Sequence, residues 1–459
     1  MRLERDKIGE AALPEEALYG LQTVRARENF AISTRGVDLA LVYAIIIVKK
    51  AAASTYQELG LMEAGKADAI IGACDEALAG QADEAFFTNA LQGGAGTSTN
   101  MNVNEVIANL ALLQIGKNCG DYAAIHPLDD VNHGQSTNDV YPTALRIAAI
   151  GLVRKLSDAC ARLQESLQLR EQEFADIQKL GRTELMDAMP ITLGQEFGAY
   201  AQAIARDRWR IYKVEERLRQ VNLGGTAVGT GSNADRRYIY MVIEKLRDLT
   251  GIGLARAEYP MDITQNNDVF VEVSGLLKAL AVNLMKIAAD LRLMNSGPHG
   301  GLAEISLQEL QMGSTIMPGK VNPVIPEMVT QAAIKVIAND QAITIAAASG
   351  NFELNAFMPL IADCLLESLA LLVETVTRFR TRCIETLKPN RENCRAHLDR
   401  SLVLVAALAP VIGYDLAAEI MAECHNDPQR IRSIVLARGL LNEVEIDGIL
   451  DYHQLTTSH

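Results

Sequence analysis

The side chains best suited to chemistry in this sequence lie in a glycine- and proline-containing segment near residue 320. Residues 313–323 read GSTIMPGKVNP, and their two glycines and two prolines exclude a continuous helix. The serine, threonine, lysine and asparagine supply hydrogen-bond donors suited to a carboxylate. A purely structural surface loop would be unusually apolar at Ile316 and Met317. The composition therefore favours a binding or catalytic loop.

Residues 92–100, QGGAGTSTN, form a second candidate segment. Their glycines allow the backbone to approach a ligand closely, and their hydroxyl groups can donate to an oxyanion. A glycine-rich helix start explains the same residues equally well. They are not a Walker phosphate-binding loop, because no G-K-[ST] sequence closes them.

A third candidate, QSTND at residues 135–139, stands before a long helical pattern. Serine, threonine, asparagine and aspartate are all favoured at a helix N-cap. A cap requires only one such residue, however, and here four are adjacent. A helix N-terminus also attracts carboxylates through its free N–H groups. For this segment, a cap and a binding site are equally good interpretations.

Two further polar groups are less informative. Residues 181–187, GRTELMD, are interpreted as a polar, structural loop. Potential metal ligands lie close together at His126, Asp129, Asp130 and His133. Their spacing fits no standard metal site, so we expect no metal ion there.

Long helices must position these segments. Nine apolar residues between Leu145 and Ile177 fall mostly three or four positions apart and so share one helical face, with Arg154 and Asp158 off it. This pattern predicts a helix of more than about 35 residues, with Pro142 in its first turn. Further long helical segments are predicted at residues 269–294, 327–348 and 364–387.

Composition and charge agree with a helical protein that binds small molecules. Hydrophobic residues make up 49% and charged residues 22% of the chain, as in soluble globular proteins. Aromatic residues are only 5% while alanine and leucine abound, which favours closely packed helices over sheets. The net charge of −14 argues against a nucleic-acid partner. It does not exclude an anionic substrate, because local charge decides what a site binds.

Cysteine usage and the N-terminal residues predict a cytoplasmic protein. The seven cysteines are scattered and include no C-x-x-C pair, which indicates reduced thiols. Residues 1–6 carry charged side chains from Arg2 onward, and no apolar export segment follows them. The longest apolar run, Leu39–Val48, is about half of the roughly 20 residues that a membrane helix requires. We therefore expect neither export nor membrane insertion.

The predicted fold is all-α. Long, nearly all-round apolar helices joined by short loops indicate a bundle, and one chain offers too few partners for so much apolar surface. We therefore expect an oligomer. Residues 388–390 are a predicted linker. The expected domains are an N-terminal mainly helical domain (1–137), a central long-helix bundle (138–390) and a small C-terminal helical domain (391–459).

Eight segments, in order along the chain, resemble the aspartase/fumarase superfamily. GSTIMPGKVNPVIPE is similar to its signature loop, which usually reads G-S-S-x-M-P-x-K-x-N. The others are YGLQTVRARENF, QGGAGTSTNMNVNE, VNHGQSTNDVYPT, GRTELMDAMPITLGQEF, GGTAVGTGSN, SGPHGGLAEI and GNFELNAFMP. The resemblance implies three helical domains and a homotetramer whose central domains form one helical bundle. It also implies active sites that are each shared by three subunits and need neither cofactor nor metal.

Within the superfamily, the resemblance implies elimination of ammonia from L-aspartate to give fumarate. NPVIPE, after the signature loop, is similar to aspartate ammonia-lyases, whereas fumarases usually read N-P-T-Q-C-E. YGLQT and GGAGTS also resemble the aspartases. GGTAVGTG and NFELN are closer to fumarases.

The resemblance also implies a role for each polar residue of these segments. Ser314 would abstract the Cβ proton of the substrate as an alkoxide, which Lys320 and the loop amides must stabilise. The resulting doubly charged aci-carboxylate would be bound by Thr97, Ser136, Thr137 and Thr315. The α-carboxylate would be bound by Lys320, Asn322 and Thr183, and the leaving amine by Asn138.

The sequence departs from the family pattern at three places. Glu184 stands where the family usually has histidine, which pairs with a glutamate aligned with Glu327. Two close carboxylates cannot both stay ionised unless a cation lies between them, so Glu184 favours an amino acid, or a bulkier cationic leaving group, over malate. Leu128 and Asp130 alter a secondary anion-binding stretch of fumarases, and no anion is expected there. His299 replaces a usual arginine for no physical reason that we can identify.

Two alternatives to an aspartate lyase remain. The first is a fumarate hydratase, or a lyase for an N-substituted or otherwise substituted succinate. The second is an inactive family member with a structural role. The presence of both Ser314 and Lys320 argues against the second.

Overall fold

The computed structural model describes residues 1–451 and 455–456 of the 459-residue chain. Helices account for 61% of the structure, and its strands are few and short. The predicted all-α fold is therefore confirmed. All seven cysteines have free thiols, in agreement with the reduced thiols predicted from the sequence, and all seven are buried.

The α-helices of the described residues include long ones, mostly between residues 39 and 379, and short ones, mostly after residue 390. In chain order they are α1 (Leu21–Asn29), α2 (Leu39–Glu58), α3 (Ala64–Leu78), α4 (Thr97–Gln114), α5 (Thr137–Glu173), α6 (Leu193–Leu218), α7 (Arg236–Thr250), α8 (Pro260–Gln265), α9 (Asp268–Met294), α10 (Val324–Ala348), α11 (Met358–Phe379), α12 (Arg391–Asp399), α13 (Leu404–Ile412), α14 (Tyr414–Glu423), α15 (Arg430–Ala437) and α16 (Glu443–Ile449). Short 3₁₀ or π-helical turns occupy Asp83–Ala85, Pro127–Val131 and Arg380–Ile384.

The strands form separate two-stranded pairs. Antiparallel pairs join β1 (Arg2–Arg5) to β2 (Glu10–Leu13), and β3 (Gln178–Thr183) to β4 (Met186–Thr192). A parallel pair joins β5 (Gln220–Val221) to β6 (Ala255–Arg256), and an antiparallel pair joins β7 (Ile305–Ser306) to β8 (Lys388–Pro389).

The chain divides into two compact units, each assembled from three separate stretches of sequence. Unit 1 comprises Met1–Ser157, Trp209–Ala279 and Ile334–Val373. Unit 2 comprises Asp158–Arg208, Leu280–Ala333 and Glu374–His459. The division into domains at residues 137 and 390 remains a prediction.

The core of unit 1 is built around α2, which packs against α3, α4 and α7. The Asp38 side chain begins this helix by accepting a hydrogen bond from the Ala40 N–H. By length and apolar composition alone, α2 is the one helix of the described residues that could cross a membrane. Of the window that meets this criterion, 67% is buried inside the protein, as in the core helix of a soluble protein.

Helix α5 confirms the long helix predicted from apolar spacing, since it spans 37 residues. The position predicted for Pro142 was wrong, because the helix begins at Thr137 and the proline lies in its interior. Proline lacks the N–H that would bond to the carbonyl four residues earlier, here that of Asn138. The buried side chain of Asn222 donates to this carbonyl instead, at 3.0 Å. The helix therefore continues through the proline with its carbonyl satisfied.

In unit 2, residues 181–187 form the tip of a hairpin rather than the predicted loop. Glu184 and Leu185 connect β3 to β4 with φ angles of +54° and +65°. A two-residue turn with both φ angles positive has the twist of the flanking strands. Helices α12 and α13 pack against β3 and β4, respectively.

The helices after residue 400 share an apolar core of their own. It consists of Val405, Leu408, Ala417, Ile420, Cys424, Ile431, Ile434, Val435 and Ile446. The described residues beyond Asn390 are thus mainly helical. The predicted segments 269–294 and 327–348 correspond to α9 and α10, while the segment 364–387 corresponds to α11 and the π-helical turn after it.

Candidate active site

The start of α4 carries the first candidate residue. Gly96, with φ of +94°, precedes the helix, and Thr97 is its first residue. A Cβ added at Gly96 would overlap the ring of Tyr141 in α5. Glycine thus allows the start of α4 to lie directly against α5. The exposed Thr97 hydroxyl donates to the Gly94 carbonyl at 2.7 Å, and its oxygen can still accept.

The start of α5 carries three more candidates. Ser136 caps the helix, since its Oγ accepts from the Asn138 N–H at 3.2 Å. The Ser136 hydroxyl proton remains available to a ligand. The Asn138 side-chain amide donates to the Ala227 carbonyl at 2.8 Å. Thr137 Oγ1 accepts from the side chain of Asn100, in α4, at 3.2 Å. Both the cap and the cluster of hydroxyl groups proposed from the sequence are present.

The buried Asp139 carboxylate fixes the start of α5 through hydrogen bonds to backbone N–H groups. Its Oδ1 accepts from the Ser136 N–H at 3.0 Å. Its Oδ2 accepts from the N–H groups of Gly224 and Thr226 at 3.0 and 2.9 Å. Burial raises the pKa of the Asp139 carboxyl to about 6, although the backbone N–H groups and Lys49 oppose the shift. Sequence reasoning treated Asp139 only as part of a helix start and did not identify this anchor.

Lys49 is a second buried group that sequence reasoning missed. It lies in α2 and is fully buried. Its Nζ donates to Asn132 Oδ1 at 2.8 Å and to Gln135 Oε1 at 3.0 Å. Burial lowers the pKa of this amine to about 7. The signal in the sequence was a lysine within the apolar pattern of a core helix.

The polar residues at 126–133 serve local structure. His126 Nδ1 accepts from the N–H groups of Leu128 and Asp129 at 3.2 and 3.1 Å. Asp130 forms an ion pair with Lys66 at 2.8 Å. Within residues 1–451 and 455–456, no group of three or more potential ligands is arranged to hold a metal ion.

The loop at residues 313–322 carries the candidate base. Ser314 Oγ accepts from the N–H groups of Ile316 and Met317 at 3.1 and 2.9 Å. Asn322 donates one side-chain N–H to the Gly313 carbonyl at 2.8 Å, which closes the loop. Lys320 and Thr315 are exposed. Two backbone N–H groups directed at a hydroxyl oxygen favour its anionic form.

The hairpin tip carries Thr183 and Glu184, which are both exposed. Behind the tip, Arg182 forms an ion pair with the fully buried Glu304 at 2.8 Å. Lys179, in β3, pairs with the same carboxylate at 2.7 Å. This cluster connects the GRTELMD and SGPHGGLAEI segments, whose relation the sequence did not show.

The candidate residues thus fall into two sets, one in each unit. Unit 1 contains Thr97, Ser136, Thr137 and Asn138 at two adjacent helix starts. Unit 2 contains the signature-loop residues Ser314, Thr315, Lys320 and Asn322, the hairpin residues Thr183 and Glu184, and Glu327 in the first turn of α10. Their individual roles remain predictions.

Comparisons with known proteins cover nearly the whole chain. A family model described as "Lyase" matches residues 9–338, and one described as "Fumarase C C-terminus" matches residues 404–457. An aspartate ammonia-lyase from Bacillus sp is 43% identical over 99% of this chain and 97% of that protein. A class II fumarate hydratase from Myxococcus xanthus is 44% identical over 97% of this chain and 96% of that protein. The crystal structure of a fumarate lyase:delta crystallin from Brucella melitensis bound to cobalt has a TM-score of 0.95 at 45% identity and covers 100% of both chains.

We predict that Gly96→Ala disrupts the contact between the starts of α4 and α5. The new Cβ adds an overlap with the Tyr141 ring to the strain of a positive φ angle. Overpacking of this kind costs about 1–3 kcal/mol. Gly116→Ala is the matched control, because Gly116 has φ of +75° but no atom within 4 Å of an added Cβ. Thermal unfolding followed by circular dichroism should show a clearly larger decrease in unfolding temperature for Gly96→Ala than for Gly116→Ala. Equal losses would contradict the tight contact.

Proposed function

The chain belongs to the aspartase/fumarase superfamily of lyases, and we propose that it reversibly eliminates ammonia from L-aspartate to give fumarate. The observation that carries the proposal is Ser314 Oγ, which accepts hydrogen bonds from two loop N–H groups. Aspartate ammonia-lyases 43% identical over nearly the full chain support a carbon–nitrogen lyase.

Ser314 acts as the base in this proposal. Serine is a weak base at its ordinary pKa, so its anion must be stabilised before it can take a proton from carbon. The N–H groups of Ile316 and Met317 favour that anion, and the ammonium group of Lys320 lies on the same loop. The alkoxide takes the Cβ proton, and the electron pair of the broken C–H bond moves into the β-carboxylate.

The intermediate is an aci-carboxylate with two negative charges, and its collapse expels the amine. The electron pair returns to form the carbon–carbon double bond, and the C–N bond breaks with its electron pair on nitrogen. The ammonium group of aspartate leaves as ammonia, and Ser314 later returns its proton to solvent. This sequence of steps balances charge without a cofactor.

The helix starts of α4 and α5 are suited to the doubly charged carboxylate. They offer the hydroxyl protons of Ser136 and Thr137 beside the positive ends of two helix dipoles. The Thr97 hydroxyl would join them by turning its proton from the Gly94 carbonyl to the carboxylate. Thr315 adds a fourth hydroxyl in the proposed site. Loss of one such donor typically lowers kcat by about 10²–10³.

The remaining contacts hold the other end of the substrate. Lys320, Asn322 and Thr183 would bind the α-carboxylate. Asn138 donates its side-chain N–H to Ala227, so its Oδ1 is left to accept from the leaving ammonium group.

We propose a homotetramer in which three subunits share each site. Long helices expose large apolar side chains, including Val282 in α9 and Ile334 and Ile345 in α10, at 50%, 55% and 59% exposure. Further copies of the chain would cover this surface. Sedimentation velocity should give about four times the 49.9 kDa chain mass. An active species at 49.9 kDa would contradict the shared site.

Fumarate hydration is the second candidate reaction. The Myxococcus xanthus relative and the GGTAVGTG segment favour it. Absorbance of fumarate at 240 nm separates the two reactions, with aspartate, malate and N-substituted aspartates as substrates. We expect loss of fumarate only when ammonium is added, and formation of fumarate from aspartate. Turnover of fumarate without ammonium would identify a hydratase, and no turnover of any of these substrates would indicate an inactive family member.

Ser314→Ala should preserve the fold and the oligomer but remove nearly all turnover of aspartate, because the hydroxyl proposed to take the Cβ proton would be absent. Ser306→Ala is the control, since Ser306 is exposed in β7 outside the proposed site. Steady-state kinetics and circular dichroism on both variants test this. If Ser314→Ala kept more than about a tenth of wild-type kcat, the loss would be smaller than that of one oxyanion donor, and another group would be the base.

Glu184→Gln should separate amine binding from carboxylate binding. If Glu184 and Glu327 lie beside the substrate ammonium, loss of one charge should weaken the binding of an unreactive aspartate analogue by about 1.5–3 kcal/mol. Fumarate has no ammonium and should bind as well or better. Inhibition constants for both ligands provide the test, with exposed Glu258→Gln as the control of equal charge change. Parallel weakening of both ligands would show that Glu184 is structural.

A further inference from the structure

Lys49 is buried beside the start of α5 without a direct ion pair, although the charge of Asp139 acts on it electrostatically. Its side chain is fully buried, and among the residues that the structure describes its Nζ donates to the side-chain amide oxygens of Asn132 and Gln135 rather than to a carboxylate. Burial of a cation without a carboxylate partner opposes folding. A core helix has no packing need for such a group, because an apolar side chain of similar length would fill the same space.

The partners of Lys49 lead to the proposed site. Asn132 Oδ1 accepts from Lys49 Nζ and also from the side chains of Asn100 and Asn104, at 2.8, 3.1 and 3.2 Å. The same Asn100 amide group donates to Thr137 Oγ1 at 3.2 Å. The second Lys49 acceptor, Gln135, immediately precedes Ser136. The ammonium group therefore holds the turn from which the hydroxyl groups of α5 begin.

The titratable groups near Lys49 differ in the pH at which they gain or lose charge. Burial raises the pKa values of Cys74 in α3, Tyr56 in α2 and Tyr238 in α7, so these groups stay neutral near pH 7. Asp139, whose pKa is about 6, is mostly ionised at pH 7; its oxygens accept from backbone N–H groups, and its charge raises the pKa of Lys49 against the effect of burial. The ring of His133 contacts Tyr56, and Asp235 acts electrostatically on the same tyrosine.

We propose that Lys49 is a positioning residue whose buried ammonium group, acting through Asn132, Asn100 and Gln135, sets the hydroxyl groups at the start of α5 and balances negative charge that arrives there. The inference rests on the proposed function, because it takes that charge to be a substrate carboxylate. The effect should be largest in the doubly charged intermediate, so Lys49 should contribute more to kcat than to binding.

Ligand binding at the start of α5 should be coupled to proton binding by Lys49. Because burial lowers the pKa of Lys49 to about 7, only part of the free protein carries this proton near neutral pH. A carboxylate bound at the start of α5 raises that pKa, so the protein must take up a proton as the ligand binds. By reciprocity, protonation of Lys49 strengthens the binding. Dicarboxylate affinity should therefore fall as pH rises above 7.

Calorimetric titration with succinate measures this uptake directly, because succinate is a dicarboxylate that neither proposed reaction can turn over. Titrations at pH 7, 8 and 9 in buffers of different ionisation enthalpy should give a fractional proton uptake per wild-type chain at one or more of these pH values. Lys49→Met should lose this uptake, bind succinate about tenfold more weakly and show a larger loss in kcat than its rise in KM. Lys50→Met is the matched control, because Lys50 is the next residue, pairs with Asp75 and carries the same charge.

Equal proton uptake and equal kcat in wild type and Lys49→Met would overturn the proposal, as would equal losses in Lys49→Met and Lys50→Met. If Lys49→Met does not fold, wild-type titrations at pH 7, 8 and 9 decide the question, since absence of proton uptake at all three contradicts a charge-balancing Lys49, and Asp139 is already ionised at the upper two. The succinate measurement does not depend on which group leaves. Failure of aspartate turnover with intact proton uptake would therefore reject the proposed reaction and retain the role of Lys49.

Discussion

The arrangement at the start of α5 depends on one buried carboxylate. Asp139 accepts hydrogen bonds from the N–H groups of Ser136, Gly224 and Thr226, and so joins the first turn of the helix to a loop more than 80 residues later in the chain. That loop also contains the carbonyl of Ala227, which orients the Asn138 side chain. Without this anchor, the hydroxyl and amide groups proposed to bind substrate would have no fixed positions relative to one another.

The two buried ionisable groups near this helix start each oppose folding when they are charged. Asp139 gains its charge as pH rises, and Lys49 gains its charge as pH falls. The raised pKa of Asp139 means that the folded state binds this proton more tightly, so its contribution to stability falls as pH rises from about 4 to about 6. The lowered pKa of Lys49 means that the folded state binds the proton of this amine less tightly than the unfolded state. Its unfavourable contribution to stability is therefore largest below pH 7 and diminishes as pH rises towards 10.5. Buried ionisable groups with strongly shifted pKa values, which reduce stability, are typical of functional sites.

Sequence reasoning succeeded where one segment determines its own structure. The apolar spacing between Leu145 and Ile177 was sufficient to predict α5, because a helix buries one face at a fixed period. It failed where a distant residue intervenes. Pro142 lies inside the helix because Asn222 satisfies the carbonyl that proline leaves unbonded. Asp139 and Lys49 were missed for the same reason, since their partners are distant in sequence and only the folded chain brings them together.

The proposed site residues are divided between the two units of the chain, with the helix starts in unit 1 and the signature loop in unit 2. The most direct test is a crystal structure of the Ser314→Ala protein with bound L-aspartate, which this variant should bind but not convert. Our account predicts the β-carboxylate at the hydroxyl groups of Thr97 and Ser136, and the Cβ atom roughly 3–4 Å from the position of the missing Ser314 hydroxyl. Aspartate bound away from the α4 and α5 starts, or with its Cβ out of reach of residue 314, would contradict it.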